Sequence, residues 1–522
     1  MWLHADIASL ADIPRYYARV AGDRVALMNA RRKETFGELD RVSSRLANVI
    51  IDLGIAPGSI VAFFGKNSIE YFEAMFAASK AGCTLLPLNW RLSASELQAV
   101  IQDAAPKLIL VDAEYDALMA KVKELGVPDL VTIGFDSSSD AETELTARLA
   151  QSGDTDPAVA VRPEDTALLL YTSGTTGQPK GVQLTHGGLN FMRLCEHLEP
   201  AFSWQPHDVM MFVMPNFHLV GTGLSLQGLY NGVPLTILPG LDVPGLLATI
   251  RRDRPTICCL VPTAIQMIID HPEAADTDFS SLRLMMYAGS PITAALLKRA
   301  MIRIGCDFMQ FYGATETCGA VTLLRPEQHD LGDEPKLKSC GTPVPLVELK
   351  VLSAAGDEVP DGEIGELVVR SPAMFKSYLN KPSMTEAVLS GGWYRTGDAG
   401  YRDESGLFYI VDRTKDMIIS GGENVYSTEV EQALSKHPAV SQVAVIGLPD
   451  DRWGERVTAI VVPVDGTPLS AEDLVAHCRR LIAAYKAPKQ VIFAEKLPMT
   501  PTGKILKTVL RKQFGGSVAV QE

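Results

Sequence analysis

The sequence predicts an α/β protein with a large N-terminal domain of layered α/β sheets plus a β-barrel-like part, followed by a small α+β C-terminal domain. Three observations carry this. Strand and helix patterns alternate over about the first 320 residues, which suits largely parallel sheets covered by helices. After about residue 345 short strands separated by glycine turns take over. Beyond Arg413 a unit of about 105 residues begins, long enough to fold around its own core.

The elements follow in order. Leu39–Leu53 places Leu39, Val42, Leu46, Val49 and Ile50 on one helical stripe. Ser59–Phe64 reads as a strand, Ser68–Ala81 as a helix and Lys107–Val111 as a strand. Ser137–Arg162 is polar and rich in small residues, an irregular connection or a short helix with loops. Thr166–Tyr171 is a short buried strand that runs into a glycine-rich loop, and Val182-Gln183-Leu184 beyond the loop is strand-like again. Ile257–Ile269, broken by Pro262, Thr263 and Gln266, reads as buried strand and helix. Val347–Leu352, Gly365–Arg370 and Leu407–Val411 are the short strands of the middle region. Past the boundary at Arg413–Asp416, Met417–Ile419 is a strand. Thr428-x-x-Glu431 is then a capping box opening a helix with Val430, Ala433 and Leu434 inward. Ser441–Ile446 and Val457–Val462 are strands. Ser470-x-x-Asp473 starts a helix carrying Leu474, Cys478 and Leu481, and Gln490–Phe493 is a last strand.

Composition narrows the function. The chain has 522 residues, 47% hydrophobic and 21% charged, as soluble globular proteins do. A net charge of −14 argues against general nucleic-acid binding, which needs a basic face. It does not exclude an anionic ligand, because a local cluster of backbone N–H groups and a few lysines suffices. The eight cysteines form no C-x-x-C pair, so neither a zinc nor a disulfide framework is indicated, and a reduced, cytoplasmic protein is expected. The N-terminus lacks a signal-peptide pattern, and no apolar run reaches transmembrane length.

The chemistry starts at the loop Thr172-Ser173-Gly174-Thr175-Thr176-Gly177-Gln178-Pro179-Lys180-Gly181. Its glycines let backbone N–H groups turn inward, its hydroxyls add neutral donors, and Lys180 adds a cation. Polyphosphate needs that combination. It is not a Walker A loop, since the spacing fails and a strand follows where a helix should. A second motif is Gln310-Phe311-Tyr312-Gly313-Ala314-Thr315-Glu316-Thr317; its Thr-Glu pair, taken alone, reads as a helix cap. Ala288-Gly289-Ser290-Pro291, Trp393-Tyr394-Arg395-Thr396-Gly397-Asp398, Asp412-Arg413 and Pro501-Thr502-Gly503-Lys504-Ile505 complete the set.

Together, over about residues 15–515, these motifs resemble the adenylate-forming superfamily of acyl-CoA synthetases, nonribosomal adenylation domains and luciferases. The resemblance implies ATP and coenzyme A as co-substrates and a Mg²⁺ held by Glu316. It implies a triphosphate cradle at Thr172–Gly177 with Lys180, an α-phosphate contact at Thr315, and an adenine site of Tyr312 facing Gly289, Ser290 and Pro291. Asp398 and Arg413 would hold the ribose. Lys504 would swing in from a mobile C-terminal domain (417–522, after an N-terminal domain of 1–413) about a hinge at 414–416 centred on Lys415. His218, in Pro215-Asn216-Phe217-His218, and Gly313 would lie at the acyl pocket, and Gly421 and Gly422 on the pantetheine path. Relatives commonly have a lysine where this chain has Ile419.

The implied reaction has two steps, acyl-adenylate plus pyrophosphate, then acyl-CoA plus AMP. His218 is not needed as a base, because the acid is already ionised. A medium- or long-chain fatty acid is expected, with an aryl or hydroxycinnamate-type acid as the alternative. Gly221 and Gly223 are read as leaving room for a long or bulky acid. A carrier-protein arm could replace free CoA, though Tyr485-Lys486-Ala487-Pro488-Lys489 resembles the CoA ligases. The rival of another class is a non-catalytic nucleotide-binding protein on the same fold. A monomer or homodimer is expected, with no nucleic-acid partner.

Overall fold

The computed structural model describes residues 6–127, 130–172, 179–290, 292–333, 335–413, 415–420, 423–450, 452–499 and 505–515. The chain forms two compact units, 1–349 with 369–394, and 350–368 with 395–522.

Among the described residues the first unit holds two large sheets. The seven-stranded one runs, edge to edge, Ser377–Tyr378, Lys180–Thr185, Thr166–Thr172, Thr84–Pro87, Ile60–Phe64, Leu108–Asp112 and Val131–Phe135. Its inner strands are parallel and made of continuous apolar runs, as a sheet covered on both faces requires. The two at the Tyr378 edge turn antiparallel. The nine-stranded sheet runs Thr342–Pro343, Gly319–Leu324, Asp307–Ala314, Leu284–Tyr287, Ile257–Leu260, Met210–Phe212, Leu235–Ile237, Val25–Met28 and Lys33–Thr35. The expected helix appears as Phe36–Asp52, opened by a capping box in which Thr35 and Glu38 satisfy each other's backbone N–H groups. Within Ser137–Arg162 the short helix is Glu144–Gln151.

Helix Ile69–Lys80 is buried nearly all round. Its Tyr71 ring meets Phe63 of one sheet at 5.4 Å and Phe212 of the other at 6.5 Å. The buried Tyr71 hydroxyl shares a 2.6 Å hydrogen bond with Thr222. One side chain thus packs against both sheets.

Strands Glu348–Leu352, Gly365–Arg370 and Trp393–Arg402 carry the chain across the division. In the second unit Trp393–Arg402 pairs antiparallel with Phe408–Arg413. A further sheet runs Glu423–Val425, Ile418–Ser420, Gly454–Pro463 and Val440–Asp450, with Gln490–Phe493 parallel on the third of these. Its core is Ile418, Val430, Leu434, Val445, Val457, Leu474 and Cys478.

Two expectations change. Helix Ser427–Leu434 has no Thr428–Glu431 capping box: Tyr426 holds the cap position without a side-chain bond. Asp412 accepts instead from the Ser427 hydroxyl at 2.7 Å, and Glu431 is drawn to Lys507 at 2.7 Å and to the Val445 N–H. Leu481 ends its helix exposed, while Leu474 and Cys478 are buried. Residues 395–413 group with those C-terminal to them, and Asp412 links the two stretches through Ser427.

Tyr71→Ala should destabilise the first unit by roughly 3–5 kcal/mol, the cost of emptying a large buried aromatic site. Tyr71→Phe, which loses only the hydroxyl bond, should cost about 1 kcal/mol. Urea unfolding followed by tryptophan fluorescence reads both.

Candidate active site

Thr172 and Lys180 are a cross-strand pair, so the hairpin register itself brings the two ends of the glycine loop together. Ser173, Gly174, Thr175, Thr176, Gly177 and Gln178 lie outside the described residues. The exit strand is held from its other side. Tyr378 pairs with Val182, the Leu379 N–H donates to Gly181 O at 2.8 Å, and Lys381 Nζ donates to Pro179 O at 3.1 Å.

The nine-stranded sheet supplies a second wall. Its strand Asp307–Ala314 is irregular between Tyr312 and Gly313. A Cβ at Gly313 would stand 2.2 Å from Gly319 O, so only glycine lets the neighbouring strand approach this closely. Thr315–Thr317 then forms a single 3₁₀ turn ended by Cys318 at φ 56°. The Thr317 hydroxyl accepts from the Ala314 N–H at 3.0 Å and donates to Gly319 O at 2.7 Å, which fixes the turn that carries Glu316. Tyr287 lies beside Gln310 in parallel register, so Gly289, just past the end of its strand, falls level with Tyr312, which is still paired with Thr322. Gly289 (φ 88°) and Ser290 are exposed there; Pro291 lies outside the described residues.

The two walls meet at Tyr378. Its hydroxyl donates to Glu316 Oε1 at 2.7 Å, and its ring lies 4.6 Å from Lys180 Nζ. The Phe375 N–H donates to Glu316 O at 2.8 Å, and Tyr394 hydrogen-bonds the Tyr378 hydroxyl. Sequence reasoning missed Tyr378. It lies on a strand of two residues, too short for any periodicity, and only the pairing with Val182 reveals its place.

His218 ends the loop before helix Leu219–Tyr230. Its ring packs on Phe217 at 4.6 Å, Phe217 meets Trp90 at 5.8 Å, and the Arg91 guanidinium covers Trp90 at 4.5 Å. The buried Nε2 of His218 has no hydrogen-bond partner among the described residues. Burial, and then the Arg91 charge, push the imidazole down to about 4. Gly221 does not leave room: a Cβ there would stand 2.4 Å from Pro215 O and 2.7 Å from Met214 O, so it serves close packing. Gly223 faces Leu219 within its own helix, 3.2 Å from where a Cβ would stand.

In the second unit Asp398 and Arg413 are cross-strand neighbours joined at 2.8 Å. Asp398 is buried and its N–H donates to the Thr396 hydroxyl at 3.0 Å. Lys415 is exposed, and the Asp416 N–H closes a turn onto Arg413 O at 2.9 Å. Ile419 is exposed on its strand. Gly421, Gly422 and Lys504 lie outside the described residues.

Residues 15–379 match the model of the AMP-binding enzymes, and 429–504 that of the AMP-binding enzyme C-terminal domain. A fatty acid–[acyl-carrier-protein] ligase of Streptomyces coeruleorubidus is 35% identical, over 99% of this chain and 98% of its own. A feruloyl-CoA synthase of an Amycolatopsis species is 36% identical, over 97% and 99%. The ATP-bound crystal structure of MatB from Rhodopseudomonas palustris superposes with a TM-score of 0.87 at 30% identity, covering 98% of this chain and 99% of that one. The chain belongs to the AMP-binding, adenylate-forming enzyme family. Within it, the protein is an AMP-forming acid–thiol ligase of the acyl-CoA synthetase branch, which activates a carboxylic acid with ATP and passes the acyl group to coenzyme A.

Because burial favours the neutral imidazole, His218 takes up a proton only near pH 4, well below the usual value for histidine of about 6.5. What its neutral burial adds to stability is complete above about 6.5 and is lost as pH falls towards 4. The His218 ring should titrate near pH 4 by NMR. His218→Gln should alter the height but not the shape of the rate profile between about pH 6 and 8.5.

Proposed function

We propose that the acid is a medium- or long-chain fatty acid, adenylated at the meeting of the two sheets. One observation carries the site assignment: Tyr378 holds a carboxylate, Glu316, and a cation, Lys180, side by side at the exit of the glycine loop. A metal–triphosphate needs such a pair.

Glu316 fits Mg²⁺. Among the described residues no group of three or more acidic, histidine or cysteine side chains could cage a metal, and Mg²⁺ prefers one or two carboxylates plus phosphate oxygens and water. When bound, the ion neutralises charge on the phosphates. Thr172–Gly177 with Lys180 cradle the β- and γ-phosphates, and Thr315 meets the α-phosphate. Tyr312 lies along adenine against Gly289, Ser290 and Pro291. Asp398 accepts from the ribose hydroxyls with Arg413 beside it, the ion pair between them setting the carboxylate's orientation. Lys504 offsets charge as the acid carboxylate meets the α-phosphorus. Residues 414–416, centred on Lys415, are the hinge of a moving part, 417–522, and Gly421 and Gly422 then line the pantetheine path.

The fatty-acid reading rests on the acyl side. A void between strand Met210–Phe212 and helix Leu219–Tyr230 is lined by Met210, Met211, Met214, Val220, Leu224 and Cys259. At about 10 Å³ it holds no more than about one water. Methionine side chains are flexible and can part to admit an alkyl chain. The fatty-acid ligase relative supports this reading, and the feruloyl-CoA relative supports an aryl acid as the alternative. All eight cysteines are free, which suits a reducing cytoplasm.

A panel of fatty acids and hydroxycinnamates, assayed for AMP release with ATP and coenzyme A, tests the acid; a cinnamate preferred by kcat/KM overturns it. The same panel with a phosphopantetheinylated carrier protein separates the two acceptors. Lys504→Ala should cut acid-dependent pyrophosphate exchange by about 100-fold or more. It should spare transfer to CoA from a supplied acyl-adenylate. Lys415→Pro should do the reverse, and an unimpaired overall rate would sink the hinge.

A further inference from the structure

We propose that Tyr378 is the positioning residue that keeps Glu316 and Lys180 oriented and apart, so that both charges stay available to the metal–triphosphate. The proposal rests on the reading of Glu316 as the Mg²⁺ ligand.

The geometry is directional. Tyr378 has one hydroxyl proton and gives it to Glu316 Oε1 at 2.7 Å, while Tyr394 hydrogen-bonds the same hydroxyl. That bond fixes one carboxylate oxygen, and among the described residues no donor meets Oε2. The ring does a second job. Its face takes Lys180 Nζ at 4.6 Å, so the cation rests on the aromatic surface. Among the described residues Lys180 and Glu316 form no ion pair, although both touch the same side chain. A lysine and a glutamate this close would otherwise tend to collapse onto each other and spend both charges. Tyr378 itself is 3% exposed and held in register by Val182, so it cannot swing out of the gap.

The two functions come apart in two variants. Tyr378→Phe keeps the ring and loses the hydroxyl; Tyr378→Leu loses both. Nucleotide affinity is measured by calorimetry for ATP in EDTA and for ATP over a Mg²⁺ titration, with Glu316→Gln as reference. Tyr378→Phe should raise the Mg²⁺ concentration for half-maximal tightening about 10-fold, in keeping with a lost hydrogen bond to a charged group. It should leave metal-free ATP affinity unchanged. Tyr378→Leu should show the same metal defect and also weaken metal-free ATP binding several-fold, about what a lost cation–π support gives. Tyr394→Phe, which removes the second hydrogen bond to that hydroxyl, should shift the Mg²⁺ requirement in the same direction by less.

A wild-type Mg²⁺ response in Tyr378→Phe overturns the orienting role while Glu316→Gln still shows the defect. Equal metal-free ATP affinity in the two Tyr378 variants overturns the spacer role. If Glu316→Gln itself leaves the Mg²⁺ response unchanged, the metal assignment of Glu316 falls, and the orienting role with it. A general packing defect would move all affinities together and leave no split between Phe and Leu.

Discussion

The hydrogen bond from Tyr378 to Glu316 is the contact on which the proposed phosphate end of the site depends, because its partners come from different sheets. Glu316 sits just past a strand of the nine-stranded sheet, and Tyr378 lies on an edge strand of the seven-stranded one. Glu316 and the loop lysine therefore come from different sheets. The bond needs both sheets in register, and the surroundings supply that. A 3₁₀ turn locked by Thr317 sets the height of Glu316, while the pairing of Tyr378 with Val182 sets that of the tyrosine. Further in, Tyr71 packs against Phe63 and Phe212, so the buried helix between the sheets keeps them at a fixed separation.

In a protein with a net charge of −14, the proposed polyanion site would depend on this local arrangement. Around Glu316 and Lys180 the charges are few and close, and the partners that hold them are neutral. A tyrosine hydroxyl orients the carboxylate, an aromatic face carries the cation, and a backbone carbonyl anchors the neighbouring lysine, Lys381. Neutral partners leave the net charge of each group intact, whereas ion-pair partners would cancel it. Elsewhere the charges do pair off: Arg325 closes on Glu199 at 2.5 Å and Arg283 on Asp208 at 2.7 Å.

The legible parts of the sequence are those whose chemistry is local. The glycine loop carries its reading within about ten residues, whereas the Thr315–Glu316 pair and the Asp398 turn, ordinary when taken alone, are read only from the order of all the motifs together. Parallel strands are legible for a related reason: a sheet covered on both faces demands an unbroken apolar run. The illegible parts depend on partners distant in sequence. Tyr378 gains its role from Glu316, 62 residues away. Thr428 and Glu431 have the spacing of a capping box, but Asp412 and Lys507 take the groups the box would use. Gly221 reads as space in the sequence and is contact in the structure, because a missing side chain looks the same whether a ligand or a backbone carbonyl fills the gap.

That last confusion bears on how one site serves different acids. The phosphate side is held by hydrogen bonds and strand pairing, which tolerate little displacement. The start of helix Leu219–Tyr230 is equally fixed, because Gly221 presses on the carbonyls of Met214 and Pro215. The adjustable part between that helix and strand Met210–Phe212 is a set of side chains, Met210, Met211 and Met214 among them, around a void too small to admit an acyl chain as it stands. If this void is the acyl site, changing those side chains would alter the acid that fits without disturbing a bond around Glu316. Relatives about equally similar to this chain are a fatty-acid ligase and a feruloyl-CoA synthase. That is expected if overall identity reports the rigid frame and adenylation chemistry, while the choice of acid lies in a few soft contacts that overall identity hardly weighs.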